Sequence, residues 1–318
     1  MIQIDVTLAR QRIAALLVGR ERELELVLAA VAAGRDVVLE GPPGTSKTTI
    51  LKAITSEWGI PLVFVEGNAD LTPAKLVGHH NPARVLREDY SGDNFVAGPL
   101  VEAMQRGGFL YIEEFNRAPE DTLNTLLTAM ADRSITVPRV GVIPAQPTFR
   151  VIASMNPYDN VGTTRLSTSV HDRLCRLGLD YQDEAAERGI VALRTGSAGG
   201  VAGQGPGGSG GGADGADLAL VADGVAVTRA TRTHPDLRQG SSVRGAIDLV
   251  LVGRQLARLR GCSGPDDAGY PDLVLDAMIV ALSGRIHLDE AADTTPERVL
   301  REIWEDHFVL SRAAAAPG

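Results

Sequence analysis

Residues 35–50 read RDVVLEGPPGTSKTTI, and this stretch decides the fold. Val37, Val38 and Leu39 form a short apolar run that reads as a buried strand. Gly41-Pro42-Pro43-Gly44 breaks it, Thr45 and Ser46 follow, and a helix resumes at Lys47 with Thr48 and Thr49 in its first turn. A strand, a glycine-rich loop and a helix in that order make an anion cradle. The N–H groups of the loop point at the ligand, and the helix N-terminus adds a favourable field. Gly41, Gly44, Lys47 and Thr48 set the spacing GxxGxxKT. Lys47 is then placed to reach the β- and γ-phosphates of a nucleotide, and the Thr48 hydroxyl to coordinate Mg²⁺. The strict motif wants glycine where Ser46 stands, so Ser46 has to accept a conformation that glycine adopts freely. A surface lysine after a glycine turn is the bland alternative, and the ordered strand, loop, Lys-Thr and helix weigh against it.

Downstream, residues 109–114 read FLYIEE. Two acids at the C-terminal end of a buried strand lie where parallel sheets place ligands. Phosphoryl transfer needs one carboxylate near Mg²⁺ and another to activate water. Glu113 suits the first role, through a metal-bound water, and Glu114 the second. Asn156 follows the strand Val151–Ser154, where a short amide can hold the attacking water or the γ-phosphate, although Asn-Pro is also a turn former. Arg173, in His171-Asp172-Arg173-Leu174, can stabilise charge on the transferring phosphoryl, in cis or from a neighbouring subunit. Its alternative is a surface ion pair. Arg244 opens a helix over 242–260 and can close over the nucleotide from a second domain; its alternative is an exposed helix charge.

Elements alternate around these residues. Helices are expected at about 8–17, at 20–33 with Leu24, Leu26, Leu28, Val31 and Ala32 at helical spacing, at 47–57, 71–77 and 100–106, and from Pro119–Glu120 onward. Strands are expected at 36–40, 60–66, 109–112 and 151–154, and a hairpin over 135–148. Residues 79–97 are polar and aperiodic, an exposed loop or hairpin that includes the pair His79-His80. The alternation over 19–180 predicts an α/β fold with a mostly parallel sheet. Residues 196–214, GSAGGVAGQGPGGSGGGAD, have too little side chain to offset ordering entropy. Helical patterns then return at about 217–230, 242–260, 271–283 and 296–308. The expected organisation is a nucleotide-binding core at 1–192, a flexible glycine-rich insertion at 193–214, an all-helical domain at 215–312 and a frayed tail at 313–318.

Composition narrows the function. The 318 residues suffice for two domains. A net charge of −9 and 4% aromatic residues argue against a broad nucleic-acid face or base-stacking platform. Cys175 and Cys262 have no metal-ligand spacing. No signal peptide or membrane-length apolar run is evident, so a cytoplasmic protein is expected, with no membrane partner.

Together the motifs resemble the MoxR-type branch of the AAA+ ATPases. The likeness covers roughly residues 12–290: GPPGTSKT at 41–48, GNADLTPAKLVG at 67–78, GPLVEAMQRGGFLYIEEFNRAP at 98–119, VIASMNP at 151–157, DRL at 172–174 and SSVRGAIDLV at 241–250. The resemblance implies a P-loop core with a smaller helical lid and an Mg²⁺-dependent ATPase. It makes Gly41, Pro42, Pro43, Gly44, Thr45, Ser46, Lys47, Thr48 and Thr49 the ATP-binding Walker A segment. Glu113 and Glu114 become Walker B, with Thr48 and Glu113 at the metal. Asn156 becomes sensor 1, Arg173 the arginine finger acting in trans, and Arg244 the sensor-2 arginine. It further implies a homo-oligomeric ring, expected to be a hexamer. The ring would act like a chaperone on a client protein, often with a partner carrying a von Willebrand factor A domain. Residues 67–100 and 135–149 match the branch's helix-2 and pre-sensor-1 insertions. Glu113 stands where the family usually has aspartate, so the metal geometry must absorb one more methylene. The other readings are an ATP-dependent scaffold or switch with negligible hydrolysis, and a DNA-processing ATPase, against which the acidic charge weighs.

Overall fold

A computed structural model describes residues 6–14, 16–84, 92–156, 167–197 and 215–310. Eleven strands are defined among them: β1 (Val37–Glu40), β2 (Leu62–Glu66), β3 (Gly78–His80), β4 (Phe95–Ala97), β5 (Phe109–Glu113), β6 (Ser134–Val137), β7 (Gly141–Pro144), β8 (Arg150–Met155), β9 (Cys175–Gly178), β10 (Leu237–Gln239) and β11 (His287–Leu288). Five of them form one parallel sheet in the order β2-β5-β8-β1-β9. The pairs β3–β4, β6–β7 and β10–β11 are separate antiparallel ribbons.

Strand alternation builds the two faces of this sheet. Val37 and Leu39, Phe109 and Tyr111, and Ile152 pack with the helices Val6–Ala14, Glu21–Ala32 and Lys47–Trp58, burying Ile13, Leu24, Leu28, Ile50, Leu51 and Ile54. Val38, Leu110, Ile112, Val151 and Ala153 face the other way, onto the helices Pro99–Arg106 and Glu120–Asp132. Each buried Leu or Ile contributes about 1.5–3 kcal/mol, so the sheet is held from both sides, as parallel sheets require.

Several elements differ from the sequence reading. The first helix is Val6–Ala14 and ends ahead of Leu17. In the helix Glu21–Ala32 the buried stripe is Leu24, Val27, Leu28 and Val31, while Leu26 and Ala32 are exposed. Two apolar stripes compete in that helix, and packing selects the one at spacing 3-4. The edge strand β9 was not expected; its exposed residues carry no apolar alternation. It is held to β1 by backbone pairing and by the buried Glu40, whose carboxylate accepts from Arg176 Nε at 2.5 Å. β6 and β7 form the expected hairpin, and His79 and His80 belong to β3.

The chain divides into two compact units, Met1–Asp180 and Tyr181–Gly318. The division falls ahead of residue 192, because the helix Glu184–Thr195 packs with the second unit, where Val191 joins the core of the helices Gly215–Ala230, Val243–Arg260, Tyr270–Leu282 and Pro296–Glu305. That unit is not wholly helical: β10 and β11 pair within it. Most of the glycine-rich tract, residues 198–214, and the tail from 311 lie outside the described residues. Among the described residues, no helix is long and apolar enough to cross a membrane.

Candidate active site

The C-terminal ends of β5, β8 and β1 lie side by side, and each carries part of the candidate site. After β1 the chain turns at Gly41, whose N–H donates to the Met155 carbonyl at 3.1 Å. A Cβ at Gly41 would come within 2.0 Å of the Leu179 carbonyl, so the start of the loop has room only for glycine. Thr45 is buried and donates to the Pro42 carbonyl at 2.9 Å. Ser46 has φ 66 and ψ 16, the left-handed conformation that the motif normally gives to glycine. The serine therefore takes the expected turn at a steric cost of about 1 kcal/mol. Lys47 Nζ rests 2.8 Å from the carbonyl oxygens of both Gly41 and Pro42, holding its charge over the loop.

Thr48 stands in the first turn of the following helix, and its Oγ1 donates to Glu113 Oε1 at 3.3 Å. The phosphate loop and Glu113 thus meet at the C-terminal end of the sheet. A hydroxyl and a carboxylate at that separation form a hard oxygen donor pair, the kind of ligand set Mg²⁺ uses. The groups fit the cation.

Tyr111 completes this corner, and the sequence reading assigned it no role. Its hydroxyl lies 3.1 Å from Thr48 Oγ1 and 2.9 Å from Ser154 Oγ, and donates to Glu113 Oε1 at 3.5 Å. Burial pushes the phenol pKa up, and the Glu113 charge adds to that, against hydrogen bonds from Ser154 and Thr48. The phenol therefore keeps its proton at neutral pH. Tyr111 precedes Glu113 by two residues and so shares its face of β5, a signal present in FLYIEE.

Glu114 turns the chain off the strand with φ 52, and its carboxylate pairs with Arg117 Nε at 3.0 Å. Gly67, at the end of β2, allows this turn: a Cβ there would lie 2.4 Å from the Glu114 carbonyl. Asn156 follows β8 directly, between the ends of β5 and β1.

One predicted site residue, Arg173, is not brought to this corner. Arg173 ends the helix Thr168–Arg173, two residues before Cys175, which pairs with Val37 at the start of β1. The phosphate loop leaves the other end of β1, roughly 13 Å away along the strand. Arg173 is exposed and donates to the Ser169 carbonyl at 3.0 Å. Arg244 belongs to the second unit, where its side chain is exposed and its carbonyl accepts from Arg285 at 3.2 Å. In the same unit, His234, Asp236 and Glu302 bring potential ligand atoms within 4.8 Å of one another. His234 Nδ1 accepts the Asp236 N–H at 3.3 Å, and its Nε2 stands 3.6 Å from Glu302.

Comparison with known proteins matches this geometry to a family. The model of the AAA domain, dynein-related subfamily, matches residues 36–174, which span β1 through Arg173. Residues 36–174 carry an AAA domain, and relatives of the chain bear the names of a MoxR chaperone and a gas vesicle ATPase. The chaperone MoxR1 of Mycobacterium tuberculosis is 26% identical over 321 residues, covering 95% of this chain and 81% of that protein. The gas vesicle ATPase GvpN of Ancylobacter aquaticus is 27% identical over 265 residues, covering 77% of this chain and 67% of its own length. Other relatives are spanned over only 55% and 57% of their length. NtrX from Brucella abortus, solved in complex with ADP, shares the fold at a TM-score of 0.54 and 19% identity, over 95% of this chain and 65% of that one.

Proposed function

We propose that this AAA+ ATPase hydrolyses ATP in a ring of identical subunits and uses the cycle to remodel or mature a partner protein. The observation that carries the reading is the meeting of Thr48 and Glu113 at 3.3 Å, directly after the phosphate loop. In this reading the loop N–H groups from Gly44 to Thr49 and the Lys47 ammonium hold the phosphates. Thr48 and Glu113 would hold Mg²⁺, and Tyr111 fixes both side chains. Bound Mg²⁺ supplies charge neutralisation of the phosphate oxygens. Glu114 releases Arg117 and accepts a proton from the attacking water, which Asn156 orients. Arg173, on the far edge of the sheet, serves the nucleotide of the adjacent subunit. Arg244 couples the nucleotide to the second unit.

The MoxR1 relative carries the name of chaperone, which supports a protein client; a von Willebrand factor A partner remains part of this proposal. Capture tests it. Glu114→Gln protein in ATP should retain its client, whereas Lys47→Ala protein should not. Equal recovery of every protein by both variants would contradict the reading. One observation favours a second reading, an ATP-driven switch with negligible hydrolysis: the Glu114 carboxylate is engaged by Arg117 at 3.0 Å. Turnover measured on the assembled protein separates the two.

A further inference from the structure

Residues 233–239 of the second unit read THPDLRQ. The Leu237 N–H donates to the His234 carbonyl at 3.1 Å, which closes a four-residue turn with Pro235 at its second position, where a fixed φ suits the turn. The Asp289 N–H, directly after β11, donates to the Asp236 carbonyl at 2.9 Å and ties the turn down. His234 and Asp236 thus leave a fixed stretch of backbone two residues apart. Facing them is the helix Pro296–Glu305, which buries Val299, Leu300 and Ile303 and carries Glu302 beside that stripe. Glu302 Oε1 accepts from Arg298 Nε at 3.2 Å, one turn earlier, and Oε2 stands 3.6 Å from His234 Nε2.

The spacing of these groups suits an ion better than it suits the groups themselves. At 3.6 Å the His234–Glu302 pair is too long for a hydrogen bond. Metal–ligand bonds of about 2.0–2.2 Å set neighbouring ligand atoms roughly 3.3–3.6 Å apart in a tetrahedron, and this pair already has that separation. One ligand atom from each of His234, Asp236 and Glu302 lies within 4.8 Å of the other two, so small side-chain rotations bring the third donor in. An imidazole with two carboxylates is a nitrogen–oxygen set of the kind Zn²⁺ accepts. A cavity of about 500 Å³ opens beside the pair and is also lined by Glu305 and Asp306, which leaves room for a fourth ligand. An ion on Nε2 requires the ring's proton on Nδ1 and gives up the bond from the Asp236 N–H. That bond is long, at 3.3 Å, and its loss is small beside the gain of a metal–ligand bond.

We propose that His234, Asp236 and Glu302 form a transition-metal site, suited to Zn²⁺, that fastens the turn at 234–237 to the last helix of the second unit. Arg298 supports it from behind: by holding Oε1 of Glu302 it aims Oε2 at the ion, as groups behind the ligands of a metal commonly do. Mg²⁺ is a poor competitor, because it prefers oxygen donors and keeps much of its water. The site lies in a different unit from the phosphate loop and does not depend on how that loop is read.

Zinc titration of the full chain tests this, with metal first stripped, nucleotide absent and a chromophoric chelator as competitor. The parental protein should take up one tight equivalent of Zn²⁺, keep it in a large excess of Mg²⁺ and unfold at a higher temperature when loaded. His234→Ala and Glu302→Gln should each weaken zinc binding by about 100-fold or more, and Arg298→Ala, which removes only the group that aims Glu302, by about 10-fold. Glu302 and Arg298 are exposed side chains, so these two variants decide the matter even if His234→Ala does not fold. Absence of a tight equivalent in the parental protein overturns the proposal, as does parental zinc affinity in Glu302→Gln. Displacement of the zinc by Mg²⁺ also overturns it. So does loss of the zinc in Glu113→Gln with retention in Glu302→Gln, which would put the ion at the phosphate loop.

Discussion

The two ends of the parallel sheet are built from opposite chemistry. At the C-terminal end, Lys47 stands over backbone carbonyls, and Thr48, Tyr111 and Glu113 interlock within 3.5 Å. At the N-terminal end, four arginines share a cavity with two acids. The first end has the cradle and the carboxylates, and the second has four arginines and no cradle. The strands between them are stiff and only four to six residues long in β1, β5 and β8. One copy therefore cannot fold its own arginine edge onto its own loop. In the proposed reading, a second copy completes the reaction.

Substitutions at each end should break this contrast in different ways. The largest effect is expected at the cradle, where Lys47→Ala should abolish nucleotide binding in an equilibrium titration; undiminished affinity would remove the assignment of the loop. Next, Glu114→Gln should lower turnover by about 10²–10⁴-fold with ATP still bound, and Arg173→Ala by about 10³-fold or more, both read in steady-state assays. Tyr111→Phe removes a hydroxyl with partners at 2.9 and 3.1 Å and should cost about 1–3 kcal/mol of stability in denaturant unfolding. Ser46→Gly should go the other way and stabilise by about 0.5–1 kcal/mol, since glycine relieves the left-handed strain and returns part of the gain as unfolded-state entropy.

The smallest expected effect is a pH dependence at the arginine edge. Burial raises the pKa of Asp36 above its usual 3.8, against the Val151 N–H and three arginines. The folded state then binds the extra proton, so Asp36's contribution to stability falls as pH rises from 3.8 through the folded value. Asp36→Asn should flatten unfolding free energy against pH in that window.

Much of the cradle was legible in the sequence, because it is local: strand, glycine turn, Lys47 and Thr48 follow one another within a dozen residues. The acid pair was legible for the same reason. What the pattern does not reveal depends on strand order. Tyr111 meets Ser154 only because β5 lies beside β8 in register, with Tyr111 opposite Ile152, although the two strands are separated in the chain by a helix and a hairpin. Arg35, Arg133, Arg150 and Arg173 converge from four distant segments. β9 is silent because pairing to β1, rather than apolar periodicity, makes it a strand. In the helix Glu21–Ala32, the choice of Val27 over Leu26 was made by packing against the sheet.

The most direct test of the split site is ATP turnover in a mixture of Lys47→Ala and Arg173→Ala proteins, each inactive alone. The account predicts that the mixture regains a substantial part of parental turnover, since some interfaces pair an intact phosphate loop with an intact arginine edge. A mixture that co-assembles and stays as inactive as its components would contradict it.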